Sequence, residues 1–268
     1  MYLILVNPKA NNNRYQQIER SFVKMIDQLE TPYEIVLIDD LSNVEDLLEQ
    51  NLKKNTTAVI AVGGNGTVNT IIDALADYDK LPLGIIPLSK NNHLADSLGI
   101  TNWKQGIKLL GEHGIDTLRL GKIGEKYFTG MLQVSPKRAV IQNILTKQNW
   151  LMNFLGTNSQ NIPKEDQLVG CSLEIDKDIK TQIQASSIEI QFIDEFNKKM
   201  RIKTTTISSK SPITSIFHAN KININSSLSM PVIAGNDVVA KTPVEIEAIS
   251  QTLPILSPIT KKEPIEVE

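Results

Sequence analysis

The chain of 268 residues is poor in the residues that make covalent and metal-based scaffolds. It has one cysteine, Cys171, and three scattered histidines. A lone cysteine closes no internal disulfide, and this distribution argues against a zinc site. No stretch approaches the roughly 20 consecutive apolar residues of a membrane span. The apolar N-terminal run Tyr2-Leu3-Ile4-Leu5-Val6 stops at Asn7-Pro8, too short for a span or a secretory signal. These features predict a reducing, cytoplasmic setting in which any membrane contact is peripheral. A basic excess is also missing: 28 Lys and Arg against 30 Asp and Glu give a net charge of -2, which argues against a nucleic-acid partner. There is no internal repeat.

What the chain does have is a change of texture near its middle. Up to about residue 117, short apolar runs alternate with amphipathic stretches. Tyr2–Val6, Glu34–Ile38, Thr57–Val62 and Leu83–Ile86 read as buried strands. Between and after them, Asn13–Leu29, Val44–Leu52, Val68–Leu75 and Trp103–Leu110 have helical spacing. That alternation predicts a three-layer α/β domain with a parallel sheet over 1–117. From 118 to 258, β-rich stretches succeed one another: Leu118–Ile123, Lys126–Leu132, Val169–Ile175, Ser186–Ile193, Met200–Thr206 and Ser215–Ile222. They predict an all-β sandwich interrupted by an inserted helix near 138–155. Thr157–Gln167 and Asn223–Ser229 read as loops, Val244–Ile249 and Leu253–Leu256 as late strands, and 259–268 as a frayed tail.

The segment Val62-Gly63-Gly64-Asn65-Gly66-Thr67 carries the most chemical information. A strand that runs into glycines and then a helix exposes backbone N–H groups, and the helix dipole favours an anion there. Glycine lets a phosphate approach the main chain closely. Thr67 is placed to cap the helix or to touch a phosphate oxygen. Two readings of the turn stay open: a phosphate cradle, or a tight strand-to-helix connection with Asn65 left-handed. It is not a P-loop, because no Gly-Lys-Ser/Thr comes after the turn.

Several segments, taken in order, resemble the catalytic domain of the diacylglycerol kinase and sphingosine kinase group. Asn7-Pro8-Lys9-Ala10 is similar to that family's Asn-Pro-x-Ala/Ser-Gly opening. Gly63-Gly64-Asn65-Gly66-Thr67-Val68-Asn69 resembles its Gly-Gly-Asp-Gly-Thr-x-Asn signature. Leu83-Gly84-Ile85-Ile86-Pro87-Leu88, then Asn92 and Leu98-Gly99-Ile100, resemble its Leu-Gly-Ile-x-Pro-x-Gly-Thr-x-Asn-Asp-Phe-Ala…Leu-Gly-Ile stretch. Leu120-Gly121-Lys122-Ile123, Tyr127-Phe128, Ala219-Asn220, Pro231, Gly235 and Thr242–Glu247 fall where the family's second domain has its own motifs. The resemblance implies a nucleotide-binding α/β domain joined to a β-sandwich, a nucleotide cleft between them, and ATP as cofactor with Mg²⁺. It implies γ-phosphoryl transfer to a lipid hydroxyl at a membrane surface, and pairing of two copies through the sandwich. Nucleotide-binding residues carried over by match are Asn7, Pro8, Gly63, Gly64, Asn65, Gly66, Thr67 and Asn92, with Lys90 as an added cation.

The departures fall on the chemical positions. Asn65 stands where the family has aspartate, Ser89-Lys90 where it has glycine-threonine, Asn92-His93 where it has Asn-Asp, and Asn11 at the first-loop glycine. Ala234-Gly235-Asn236 replaces Asp-Gly-Glu, whose glutamate is the family's proton acceptor. An amide is no general base at neutral pH and holds Mg²⁺ less well than a carboxylate. Loss of a base typically costs about 10²–10⁴ in rate. Asp237 is the available substitute, but a one-residue shift along a strand turns a side chain to the other face. No catalytic residue and no metal site is therefore intact, which argues against Mg²⁺. Lys90 offers a positive charge for a phosphate without the metal, and His93 reads as a surface or cap residue. The expectation is a lipid-kinase relative that binds nucleotide or lipid with lost or impaired transfer. An active lipid kinase and a non-catalytic scaffold remain the alternatives. NAD kinases share the glycine turn, but their downstream Asn-Glu dipeptide is absent from this chain.

Overall fold

The structure is a computed structural model that describes residues 1–76, 78, 80–89, 92–136, 168–192, 199–207, 212–234 and 237–259. The helix expected near 138–155, the loop at 157–167, Lys90, Asn236 and all but the first residue of the tail lie outside the described residues. The chain divides into two compact units: Met1–Leu118 together with the chain from Gln251, and Arg119–Ser250.

The first unit alternates strand and helix as its apolar periodicity requires. In order come β1 (Tyr2–Val6), α1 (Ala10–Asp27), β2 (Tyr33–Leu37), α2 (Val44–Asn51), β3 (Ala58–Gly63), α3 (Asn65–Leu75), β4 (Leu83–Pro87), α4 (His93–Ser97) and α5 (Trp103–Gly111). The strands pair in parallel in the order β2-β1-β3-β4, with Ile4 opposite both Ile35 and Ile60. Every residue of β1, β3 and β4 is buried, as expected of parallel strands covered on both faces. Alternation along the pleat assigns the two layers. Ile4, Val6, Ile60 and Val62 form one core with Phe22 and Ile26 of α1 and with Ile107 and Leu110 of α5. Their neighbours Leu3, Leu5, Val59 and Ala61 point the other way and are fully buried too, and α3 packs beside β3 and α2. A Cβ on Gly106 would come within 2.9 Å of the Ile85 carbonyl oxygen, so glycine sets how closely α5 approaches β4.

The second unit is antiparallel throughout the described residues. Wholly or, for β5 and the last strand, in part, its strands are β5 (Gly114–Ile123), β6 (Lys126–Phe128), β7 (Met131–Val134), β8 (Val169–Ile175), β9 (Ile179–Ala185) and β10 (Ser187–Gln191). They continue as β11 (Met200–Ile207), β12 (Pro212–Ala219), β13 (Lys221–Ser226), β14 (Pro231–Ala234), β15 (Asp237–Lys241) and β16 (Val244–Ser257). One sheet orders β16-β13-β8-β9 with the β5–β6 hairpin beside it, and the other β12-β11-β10-β7-β14-β15. Leu173, Ile222 and Ile246 of the first sheet share a core with Leu132, Ile190, Ile202 and Val232 of the second, which makes a sandwich.

Several expectations change: Ser215–Ile222 is divided between β12 and β13, and Lys126–Leu132 between β6 and β7. The loop read over 223–229 is strand up to Ser226, because Ile222 and Ile224 alternate inward between polar residues. The two late strands are one, β16. Ile179–Ala185, inconspicuous in the sequence for its polar alternation, is a full strand against β8.

Candidate functional site

The site grows from the carboxyl end of the parallel strands. β1 gives way at Val6 to Asn7, whose N–H donates to the Val62 carbonyl (2.9 Å) and whose Nδ2 donates to Thr67 Oγ1 (2.9 Å). The Asn7 Oδ1 accepts from the Lys9 N–H at 3.0 Å, turning the chain away from the sheet. Thr67 is 2% exposed, so its hydroxyl tethers the first strand loop and does not cap α3. Gly64 stands at the N-cap of α3 with no side-chain cap bond, which leaves that helix start to backbone N–H groups.

The two glycines of the turn do different things. A Cβ on Gly63 would meet Thr67 Oγ1 at 2.5 Å and Thr67 Cβ at 2.6 Å, so Gly63 makes room for the buried threonine. A Cβ on Gly64 would find, among the described residues, only Ser89 Oγ at 3.6 Å. Among the described residues, then, nothing crowds the Cβ position of Gly64. Gly64 has φ -100° and ψ -172°, and neither Gly63, Gly64, Asn65 nor Gly66 has a positive φ. The left-handed Asn65 of the tight-connection reading is therefore not found.

Left-handed backbone occurs instead at Asn11, Asn12 and Asn13, with φ of 50°, 56° and 59°. Asparagine tolerates this region better than other residues with a Cβ, which is why a run of three can hold it. Asn11 Nδ2 donates to the Leu88 carbonyl at 2.7 Å, fastening the loop after β1 to the loop after β4. From sequence alone Asn11 reads only as a lost glycine; the Asn-Asn-Asn triplet is the signal for its structural role.

Asn65 and Asn92 complete the arrangement. Asn65 Oδ1 accepts the His93 N–H at 3.0 Å, so the first residue of α3 holds the first residue of α4. His93 itself is exposed. Asn92 is 1% exposed; its Oδ1 accepts from the Ala95 N–H (3.2 Å), while its buried Nδ2 has no partner among the described residues. A buried N–H left unpaired costs about 1–3 kcal/mol, so this donor marks a place where an acceptor is wanted. Of the residues predicted from sequence, the structure brings together Asn7, Gly63, Thr67, Asn65 and, through His93, Asn92. Lys90 and Asn236 lie outside the described residues. Asp237 opens β15 opposite Ala234 in the register, and its side chain is not among those described.

A phosphate is compatible with what the described residues present: a glycine at the helix start with no close contact to its Cβ position, and a helix start without a side-chain cap. Mg²⁺ is not. It is usually held by one or two carboxylates together with phosphate and water oxygens, whereas the described side chains here are neutral amides, each already accepting an N–H. No cluster of three or more His, Cys, Asp or Glu suited to a metal occurs among the described residues.

The two units together have the fold of the diacylglycerol kinases. A diacylglycerol kinase crystal structure from Bacillus anthracis superposes with a TM-score of 0.73 at 16% identity, over 96% of this chain and 97% of that one. Residues 1–123 match the diacylglycerol kinase catalytic domain. Diacylglycerol kinase of Staphylococcus saprophyticus is 31% identical over 84 residues, 31% of this chain and 28% of that protein. Diacylglycerol kinase of Mycobacterium tuberculosis is 29% identical over 118 residues, 41% of this chain and 38% of that protein. The sequence matches thus span only about a third of these relatives. Among the described residues, no helix is long and apolar enough to cross a membrane.

Proposed function

We propose that this protein is a lipid-kinase relative that binds the phosphates of a nucleotide at the Gly63–Thr67 turn and has lost, or nearly lost, phosphoryl transfer. The observation that carries the reading is Asn65. It occupies the place of a carboxylate in the family signature and is used to hold His93 through its Oδ1. Phosphoryl transfer is almost wholly positioning and charge neutralisation, so a site without its carboxylates keeps the first and loses the second. Asn7, Pro8, Gly63, Gly64, Gly66, Thr67, Lys90 and Asn92 make up the binding side, and Asn236 replaces the proton acceptor.

In this reading a lipid meets the protein peripherally and two copies pair through the second unit. The pairing is supported by β12, an edge strand whose residues 212–216 are exposed and which carries no Lys, Arg, Asp or Glu to discourage strand addition. The test is a thermal shift with ATP and ADP, alongside transfer of labelled phosphate from ATP to diacylglycerol in mixed micelles. A nucleotide shift with transfer at least about 10²-fold below an active relative is expected. Transfer at the relative's rate refutes the reading.

A further inference from the structure

We infer that the Gly64 cradle takes a nucleoside polyphosphate in its metal-free form, so that Mg²⁺ weakens binding instead of strengthening it. The inference rests on the proposed nucleotide site and concerns which ionic form of the ligand the site prefers.

Around the cradle, lone pairs and N–H groups divide unequally between the engaged and the free. Asn7 Oδ1 accepts from Lys9 N (3.0 Å), Asn65 Oδ1 from His93 N (3.0 Å) and Asn92 Oδ1 from Ala95 N (3.2 Å). Each of these three amide oxygens already accepts one N–H, and none is charged. The unpaired group is of the opposite kind. Asn92 Nδ2 is a buried donor with no partner among the described residues, and Asn92 immediately precedes the His93 N–H held at the start of α3. That start adds backbone N–H groups and the positive end of the helix dipole. Backbone N–H groups at that helix start attract the oxygens of a bare phosphate and repel the Mg²⁺ that would otherwise cover them.

Linkage fixes the size of the effect. If only the bare nucleotide binds, the apparent Kd rises by the factor by which Mg²⁺ depletes that form. The factor is about elevenfold when free Mg²⁺ is tenfold above the dissociation constant of the Mg–nucleotide complex.

The experiment is isothermal titration calorimetry of the full chain with ADP and with ATP, in EDTA and in Mg²⁺ at matched ionic strength. About tenfold weaker binding with Mg²⁺ is expected. Equal or tighter binding with Mg²⁺ overturns the inference while the nucleotide reading stands. No binding in either buffer removes both. A second arm uses Asn65→Asp, whose carboxylate can still accept the His93 N–H and so keeps the local fold. It should weaken binding in EDTA more than in Mg²⁺, moving the ratio severalfold towards the metal complex. An unchanged ratio would mean that position 65 does not face the phosphates and would overturn the assignment.

Discussion

Gly63→Ala and Gly64→Ala, one residue apart, should have opposite consequences. At position 63 the new Cβ lies 2.5 Å from Thr67 Oγ1, 2.6 Å from Thr67 Cβ and 2.8 Å from Thr67 Cγ2. Ordinary contact begins near 3.4 Å, so almost 1 Å of movement is needed. Thr67 cannot retreat, being 2% exposed and tied to Asn7 Nδ2 at 2.9 Å. Gly63 is also held, because its carbonyl accepts from the Leu88 N–H at 2.9 Å. Overpacking of a fixed site costs about 1–3 kcal/mol, and the short contacts put this one near about 3 kcal/mol. With a urea slope of about 2 kcal/mol/M, the unfolding midpoint of the first unit should fall by about 1.5 M. Gly64→Ala meets only Ser89 Oγ at 3.6 Å, at an allowed φ of -100°, and should stay within about 0.5 kcal/mol of the parent. Yet its methyl group stands where the proposed phosphate approaches, so it should lose nucleotide binding. The assay is urea unfolding followed by Trp103 fluorescence in a Trp150→Phe background, with calorimetry for binding. Trp103 reports on the first unit, where it packs 6.2 Å from Phe22. Combining Gly63→Ala with Thr67→Ser should recover little, since serine keeps the Cβ at 2.6 Å. The reasoning is refuted if the two single variants lose equal stability, or if Gly64→Ala binds nucleotide as the parent does.

Asn7→Ala removes the bond to Thr67 Oγ1 and the acceptor for Lys9 N, and should cost about 1–3 kcal/mol by the same unfolding assay. Asn12 is exposed with φ 56°, so Asn12→Val should cost about 1–2 kcal/mol while Asn12→Gly stays within about 1 kcal/mol. Cys171 is 3% exposed and burial pushes its thiol up to about 11; Tyr33, donating to Asp27 Oδ1 at 2.6 Å, is pushed up to about 12 chiefly by that bond. Both keep their protons longer folded than unfolded. Their stabilisation is complete below about pH 9, the ordinary thiol value, and is lost as pH rises towards 11–12. Unfolding midpoints measured from pH 8 to 11 should fall, less steeply for Cys171→Ala, and a thiol reagent should label Cys171 only after unfolding.

Much of this fold is legible in the sequence because burial imposes simple patterns. β1, β3 and β4 are continuous apolar runs since helices cover both faces of their sheet, and such runs stand out without an alignment. β9 escapes notice for the converse reason: Ile179-Lys180-Thr181-Gln182-Ile183-Gln184 places most of its outward residues in water, and its pairing with β8 comes from tertiary register. The glycine turn is recognisable by type, but the division of labour inside it is not. Gly63 is fixed by a side chain four residues on, and only the position of Thr67 distinguishes it from Gly64. The left-handed triplet at Asn11–Asn13 is hidden because asparagine serves equally in caps, turns and loops.

Asn65 shows why a fold can persist while its chemistry departs. An aspartate and an asparagine are nearly the same shape, and both offer an oxygen to the His93 N–H, so the backbone of the turn is indifferent to which one is there. Asn92, which matches the family, caps α4 through its oxygen in the same way. Phosphate is not indifferent. A carboxylate beside it must be bridged by a cation, whereas an amide can present an N–H directly. The substitution that leaves the scaffold undisturbed is thus the one that changes the sign of the site's response to Mg²⁺, and the sign of that response separates a disabled kinase from a binding protein of a different kind.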